Sequence, residues 1–191
     1  MISVLTQLSS RALLPVVVAD CRECADPLAD ALVAGGLPVA EVTFRTPAAR
    51  QVIEAIAARR DILVGAGTVL NACQVDMVVD AGAAFIVSPG LSREVVERAL
   101  ERGVLPLPGV ATASEVQAAL DLGLEAVKFF PAEVCGGVGA IRALAAPFDR
   151  MSFVPSGGVG PANLGGYLAV PAVAARADPG WSPVTSSTLT T

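Results

Sequence analysis

A chain of 191 residues with 53% apolar and 16% charged residues suits one sizeable, compact core and excludes a disordered or fibrous protein. The net charge of −5, the pI near 4.7 and the absence of any basic run exclude a nucleic-acid footprint and favour a small-molecule partner. The longest apolar runs, "ALLPVVVA" and "YLAVPAVAA", contain proline and fall short of the roughly 18 to 20 residues that cross a bilayer, so no membrane association is expected. The N-terminus has no basic start and no Ala-x-Ala cleavage site, which predicts a cytoplasmic protein with reduced thiols.

Along the chain, short apolar runs alternate with helical patterns, the mark of repeated βα units. "LPVVV" (14–18) precedes "DPLADALVAGG" (26–36), "PVAEV" (38–42) precedes "TPAARQVIEAIAARR" (46–60), and "ILV" (62–64) precedes "NACQVDMVVDAG" (71–82). "AFIV" (84–87) leads to "SREVVERALERG" (92–103), and "VLPL" (104–107) leads to "TASEVQAALDLG" (112–123). "EAVKF" (125–129), "SFVP" (152–155) and "AVAA" (172–175) complete eight strands, with "GVGAIRALAAP" (137–147) and "PANLGGYLA" (161–169) between them. Several helical patterns open on Asp, Thr, Asn or Ser and close on glycine, and "TASE" has capping-box spacing. Eight units predict an α/β fold, a (β/α)₈ TIM barrel in a single domain over residues 1–175, with an open doubly wound sheet as the alternative.

In either fold, function gathers at the C-terminal ends of the strands. Those positions read Glu41 to Thr46, Gly65-Ala66-Gly67-Thr68, Ser88-Pro89-Gly90, Lys128 to Pro131 and Ser156-Gly157-Gly158. Lys128 is the only lysine beside twelve arginines. A chain that uses arginine wherever a solvated cation suffices keeps lysine where an amine must lose its proton and attack a carbonyl. A snorkelling or salt-bridged lysine is the bland alternative. With no histidine in the chain, the strand-end carboxylate Glu41 is the candidate proton shuttle, set against a plain ion pair with Arg45 four residues on. "GAGTV" lacks the third glycine of a dinucleotide loop. "SGGVGPANL" sets two glycines after a strand and before a proline-started helix, an arrangement whose backbone N–H groups suit a phosphate. Cys21 and Cys24 form a C-x-x-C, but without histidine a metal site is not expected, and surface or packing roles are.

Six segments, "AEVTFRTPAA", "VGAGTVL", "FIVSPGL", "LPGVAT", "VKFFPAE" and "VPSGGVGPANLGGYLA", closely resemble the 2-keto-3-deoxy-6-phosphogluconate (KDPG) and 4-hydroxy-2-oxoglutarate aldolases, in order and register from about residue 13 to 175. The resemblance implies a class I aldolase that cleaves 2-dehydro-3-deoxy-6-phosphogluconate to pyruvate and glyceraldehyde 3-phosphate without metal or other cofactor. It implies Lys128 as the Schiff-base residue and Glu41 as general acid/base. Arg45 and Thr68 would hold the pyruvyl carboxylate, Pro89 and Phe130 wall the pocket, and Ser156, Gly157 and Gly158 contribute to the phosphate site. It further implies a homotrimer. Relatives sharing these motifs cleave 4-hydroxy-2-oxoglutarate or 2-dehydro-3-deoxy-6-phosphogalactonate, which are the alternative substrates.

After "PAVAA" the family continues Gly-Gly-Ser-Trp and adds a final helix, whereas this chain reads "RADPGWSPVTSSTLTT". Reading the third base of each codon with the first two of the next, a permitted choice of codons turns Arg176 to Ser182 into Gly-Gly-Ser-Trp-Leu-Val, which points to a frameshift. Residues 176–191 are therefore expected to form an atypical, disordered tail, with the last strand and C-terminal helix altered or truncated and Asp178 where the family has the phosphate-site serine. A non-catalytic or unstable barrel is the alternative this tail raises.

Overall fold

The computed structural model describes residues 3–178. Its core is a closed (β/α)₈ barrel. Strands β1 (Leu13–Val17), β2 (Val39–Thr43), β3 (Leu63–Gly67), β4 (Phe85–Val87) and β5 (Leu105–Leu107) pair in order, all parallel. Pro108 interrupts the fifth run, which resumes as β6 (Gly109–Val110) beside β7 (Ala126–Phe129) and β8 (Ser152–Pro155). The Lys128 N–H donates to the Pro108 carbonyl and bridges this seam.

The ring closes through the last described segment. Val173 bridges Phe153 on β8, and β9 (Arg176–Asp178) pairs in parallel with β1, Leu13 opposite Arg176. The last strand predicted over 172–175 is thus carried three residues further: Phe153 N–H donates to the Ala172 carbonyl and Ala174 N–H to that of Phe153, while Val173 N–H turns back to the Val170 carbonyl before the chain crosses to β1. The first three residues of the expected disordered tail form this strand, since parallel pairing uses backbone groups that any residue supplies. The remainder of that tail, including the place of the C-terminal helix, lies outside the described residues.

Helices α2 (Ala25–Ala34), α3 (Ala49–Arg59), α4 (Ala72–Asp80), α5 (Arg93–Glu101), α6 (Ala113–Asp121), α7 (Gly137–Ala145) and α8 (Leu164–Leu168) follow the strands. Asn71, Ser92 and Thr112 cap α4, α5 and α6 as their sequences predict, and Thr112 with Glu115 completes the capping box. Thr46 does not cap α3: its hydroxyl donates to the Ala19 carbonyl across the β1 end. A further helix, α1 (Val4–Arg11), precedes β1 and buries Leu8 against the barrel interior. Its few apolar residues give it only a weak pattern in the sequence.

The apolar residues divide into three clusters, and strand parity decides which residue joins which. Leu14, Val16, Val39, Phe85, Val87, Ala126 and Val154 fill the barrel interior with Leu8. Ala40, Val42, Ala66 and Ile86 face α2 to α5, and Val127, Phe129 and Phe153 face the second half of the helices. Between the helices, Arg59 pairs with Asp30 and Asp61, and Arg98 and Arg102 share Asp76.

Candidate active site

The same parity aims the polar strand residues. Glu41 and Thr43 share a face with Val39, Lys128 with Ala126, and Ser156 follows Val154, so all of them point into the barrel above its apolar floor. Register puts Glu41 opposite Gly65 and Thr43 opposite Gly67. On the far wall Lys128 lies between Gly109 and Val154.

Room for these side chains comes from glycine. A Cβ at Gly65 would collide with the Phe85 ring, and one at Gly67 with the Glu41 carboxylate, so the two glycines admit an aromatic floor and a charged group above it. A Cβ at Gly109 would strike the Pro89 carbonyl, which brings the turn after β4 against the β6 strand.

Lys128 is 7% exposed and Glu41 1% exposed, and Nζ lies 3.5 Å from Oε1. Lys128 is therefore buried rather than snorkelling, and its ion-pair partner is the carboxylate that the sequence singled out. The ammonium also lies 5.1 Å from the Phe130 ring centroid, a cation–π distance. Glu41 Oε2 and Thr43 Oγ1 are buried without a protein hydrogen-bond partner among the described residues. Unpaired buried oxygens cost free energy, so both are open to a hydrogen bond from a molecule that enters the barrel. Thr43 was not singled out from sequence, although its two-residue spacing from Glu41 places it on the same face.

At the rim, Arg45 does not pair with Glu41. Its Nε donates to Thr68 Oγ1 at 3.0 Å, leaving the exposed guanidinium at the mouth of the barrel. Thr68 has φ 59°, in the left-handed region that a β-branched residue rarely enters. Local strain of this kind persists where surrounding structure over-determines the backbone, and here it sets the hydroxyl against Arg45. Pro89 is exposed after β4, and the Ser88 hydroxyl steadies its turn by donating to the Gly90 carbonyl.

Ser156 is 3% exposed, and Gly157 and Gly158 follow it with φ 95° and 80°. A Cβ at Gly157 would crowd Phe130, and one at Gly158 would strike Glu133, so this loop lies against the segment that follows Lys128. The backbone binds the two together: Ala132 N–H donates to the Ser156 carbonyl and Glu133 N–H to that of Gly157. The predicted proline-started helix is shorter than expected. Asn163 instead spans the turn, accepting from Gly160 N–H and donating to the Gly158 carbonyl, and α8 begins only at Leu164. An Asx-type bond to the backbone competes with helix initiation and wins here. Beneath the loop, buried Tyr167 donates to the Glu133 carboxylate. Burial, reinforced by that bond, holds the Tyr167 hydroxyl above its usual range, so it remains a donor.

Cys21 and Cys24 are joined by a disulfide, contrary to the expectation of reduced thiols. The 3₁₀ turn Arg22–Cys24 brings their Cα atoms to 5.6 Å.

The site joins one buried amine, one buried carboxylate, an arginine at the mouth and a glycine loop on the same barrel rim, a set suited to carbonyl addition and proton transfer on an anionic substrate. A family model described as KDPG and KHG aldolase matches residues 4–187. The KHG/KDPG aldolase of Escherichia coli strain K12 is 48% identical over 168 residues, covering 87% of this chain and 78% of that protein. The crystal structure of 2-keto-3-deoxy-6-phospho-gluconate aldolase from Zymomonas mobilis ATCC 29191 superposes with a TM-score of 0.87 at 42% identity, covering 92% of this chain and 84% of the other. That of KDPG aldolase from Legionella pneumophila, with pyruvate captured as a covalent carbinolamine, has a TM-score of 0.88 at 38% identity over 92% of this chain and 86% of the other. With the site's geometry and these likenesses in agreement, the chain belongs to the KDPG and KHG aldolase family.

Proposed function

We propose that this chain cleaves 2-dehydro-3-deoxy-6-phosphogluconate to pyruvate and glyceraldehyde 3-phosphate, with Lys128 as the Schiff-base nucleophile and Glu41 as the general acid/base. The observation that carries this reading is the buried Lys128–Glu41 pair, with Nζ and Oε1 3.5 Å apart. The relatives named as KDPG aldolases, and the carbinolamine captured in one of them, support the reaction class.

The amine first hands its proton to Glu41 across that short gap, and Nζ then attacks the C2 ketone. Glu41 returns that proton to the carbinolamine hydroxyl, which leaves as water, so that a protonated imine faces an ionised carboxylate. The C3–C4 bond breaks with its electron pair moving to the imine nitrogen, while Glu41, directly or through a water, takes the C4 hydroxyl proton. Glyceraldehyde 3-phosphate departs. The conjugate acid of Glu41 protonates C3 of the enamine, and water attacks the regenerated imine carbon to free pyruvate and Lys128. Arg45 and Thr68 hold the substrate carboxylate, for which a guanidinium offers paired donors. Pro89 and Phe130 bound the pocket, and Ser156 with the Gly157 and Gly158 backbone receives the phosphate.

The resemblance supports a cytoplasmic homotrimer, which sedimentation of the purified protein would test. It also supports the frameshift reading of the segment after Ala175, for which nucleotide sequence is the test. No helix among the described residues is long and apolar enough to cross a membrane. Incubation with the phosphorylated C6 substrate is expected to release pyruvate and glyceraldehyde 3-phosphate in equal amounts. The same assay with 4-hydroxy-2-oxoglutarate and 2-dehydro-3-deoxy-6-phosphogalactonate separates the alternatives, and no cleavage of any of the three would refute the proposal.

A further inference from the structure

The chemistry above leaves one reactive pair unused. Cys21 and Cys24 stand where β1 gives way to α2, at the same end of the barrel as Glu41 and Arg45, in a strand, C-x-x-C, helix arrangement that suits thiol exchange. The two sulfurs are not equivalent. Cys21 is half-buried whereas Cys24 is 0% exposed, so a reagent from solvent meets Cys21. Cys24 is the N-cap of the ten-residue helix α2, where the positive end of the helix favours a departing thiolate. An Asp20 carboxylate oxygen and both sulfurs lie within 4.8 Å of one another. Two sulfurs paired across a single C-x-x-C turn point to redox chemistry.

The turn is also wired to the substrate end. Ala19, two residues before Cys21, accepts a 2.5 Å hydrogen bond from the Thr46 hydroxyl. Thr46 directly follows Arg45, whose Nε is held on Thr68. The C-x-x-C turn also packs against α3, the helix that begins just beyond Thr46.

We propose that Cys21–Cys24 is a redox-active dithiol–disulfide pair, exchanging with thiol reductants through Cys21, and that its state adjusts the Arg45 clamp through Ala19 and Thr46. The second half rests on the role proposed for Arg45. In the reductive direction a thiolate of a dithiol reductant attacks Cys21 Sγ, the Sγ–Sγ bond breaks, and Cys24 leaves with the electron pair and takes up a proton. The reductant's second thiolate attacks its own sulfur in the mixed disulfide, releasing Cys21 as a thiolate that is protonated in turn. Two electrons and two protons enter the pair, and the reductant becomes a cyclic disulfide. A small-molecule disulfide reverses the sequence.

The test equilibrates the whole protein in graded mixtures of reduced and oxidised dithiothreitol, alkylates it and maps the peptides by mass spectrometry. Cys21 and Cys24 should convert together in one reversible two-electron step, while exposed Cys73 stays alkylatable throughout as an internal control. The KM for the pyruvyl substrate should differ at least about fivefold between the two states, with kcat little changed, and Cys24→Ser should hold KM at the reduced value in every mixture. A pair that stays locked in one state across all mixtures overturns the exchange, and a KM that ignores the pair's state overturns the coupling. Peptide mapping needs no turnover, so an inactive protein whose pair still titrates would count against the aldolase reading and not against the exchange.

Discussion

Lys128 and Glu41 stand 87 residues apart in sequence and 3.5 Å apart in the barrel, a buried amine facing a buried carboxylate whose second oxygen has no partner among the described residues. The distance permits direct proton exchange, and the open oxygen leaves the carboxylate able to reach a substrate atom. Removing the carboxylate's basicity while keeping its shape should therefore separate the two roles. Glu41→Gln is expected to lower kcat by about 10²- to 10⁴-fold, as loss of a positioned general acid/base does, while a pyruvate adduct still accumulates on Lys128 under borohydride. Unchanged kcat in this variant would remove Glu41 from the mechanism.

The two inward glycines of β3 should fail differently. Gly65→Ala presses on Phe85 in the barrel interior and is expected to cost about 1 to 3 kcal/mol of stability, read by urea unfolding. Gly67→Ala presses on the Glu41 carboxylate, so its main effect should be on kcat, with a smaller change in the unfolding midpoint. The reverse pattern would mean that the register of β2 and β3 is not as described.

At the mouth, replacing the guanidinium by an amine keeps charge but removes the bond from Nε to Thr68 and the paired donors. Arg45→Lys is expected to raise KM for pyruvate about tenfold with little change in the affinity contributed by the phosphate. The loop after β8 should show the opposite selectivity. Gly158→Ala meets Glu133 and forces a left-handed backbone on alanine, so steady-state kinetics should show weaker binding of phosphorylated substrate while pyruvate exchange is largely spared.

Much of this site could be read from the chain before the fold was known. Lys128, Glu41 and the glycine loop sit at strand ends, and strand periodicity alone predicts that such side chains share one face and one rim. What sequence could not supply was contact across the barrel. The pairing of Arg45 with Thr68 depends on a left-handed threonine, and that of Glu133 with Tyr167 on the turn after β7 meeting α8. Thr46 read as a helix cap because the competing Ala19 carbonyl belongs to a different strand end. The disulfide was missed because compartment argued for reduced thiols, whereas a single turn brings the two sulfurs together locally.

Acid should weaken the fold partly through Glu115. Backbone N–H groups of Ala111 and Thr112 and the Thr112 hydroxyl hold its carboxylate below the usual value of 4.5, the Ala111 bond contributing most. A depressed native value means that its contribution is present above the unfolded value near 4.5 and is lost as pH falls through the native one. Urea midpoints measured from pH 6 down to about pH 3 should fall, and Glu115→Gln should start lower and fall less steeply. Parallel curves for the two proteins would show that the box adds nothing to acid sensitivity.

The central claim is covalent chemistry at one amine. The protein incubated with pyruvate and sodium borohydride, digested and mapped, should carry a reduced adduct on the peptide containing Lys128, and Lys128→Arg should carry none while retaining its fold. An adduct on Lys128→Arg, or its absence from the parent protein in the folded state, would contradict the account.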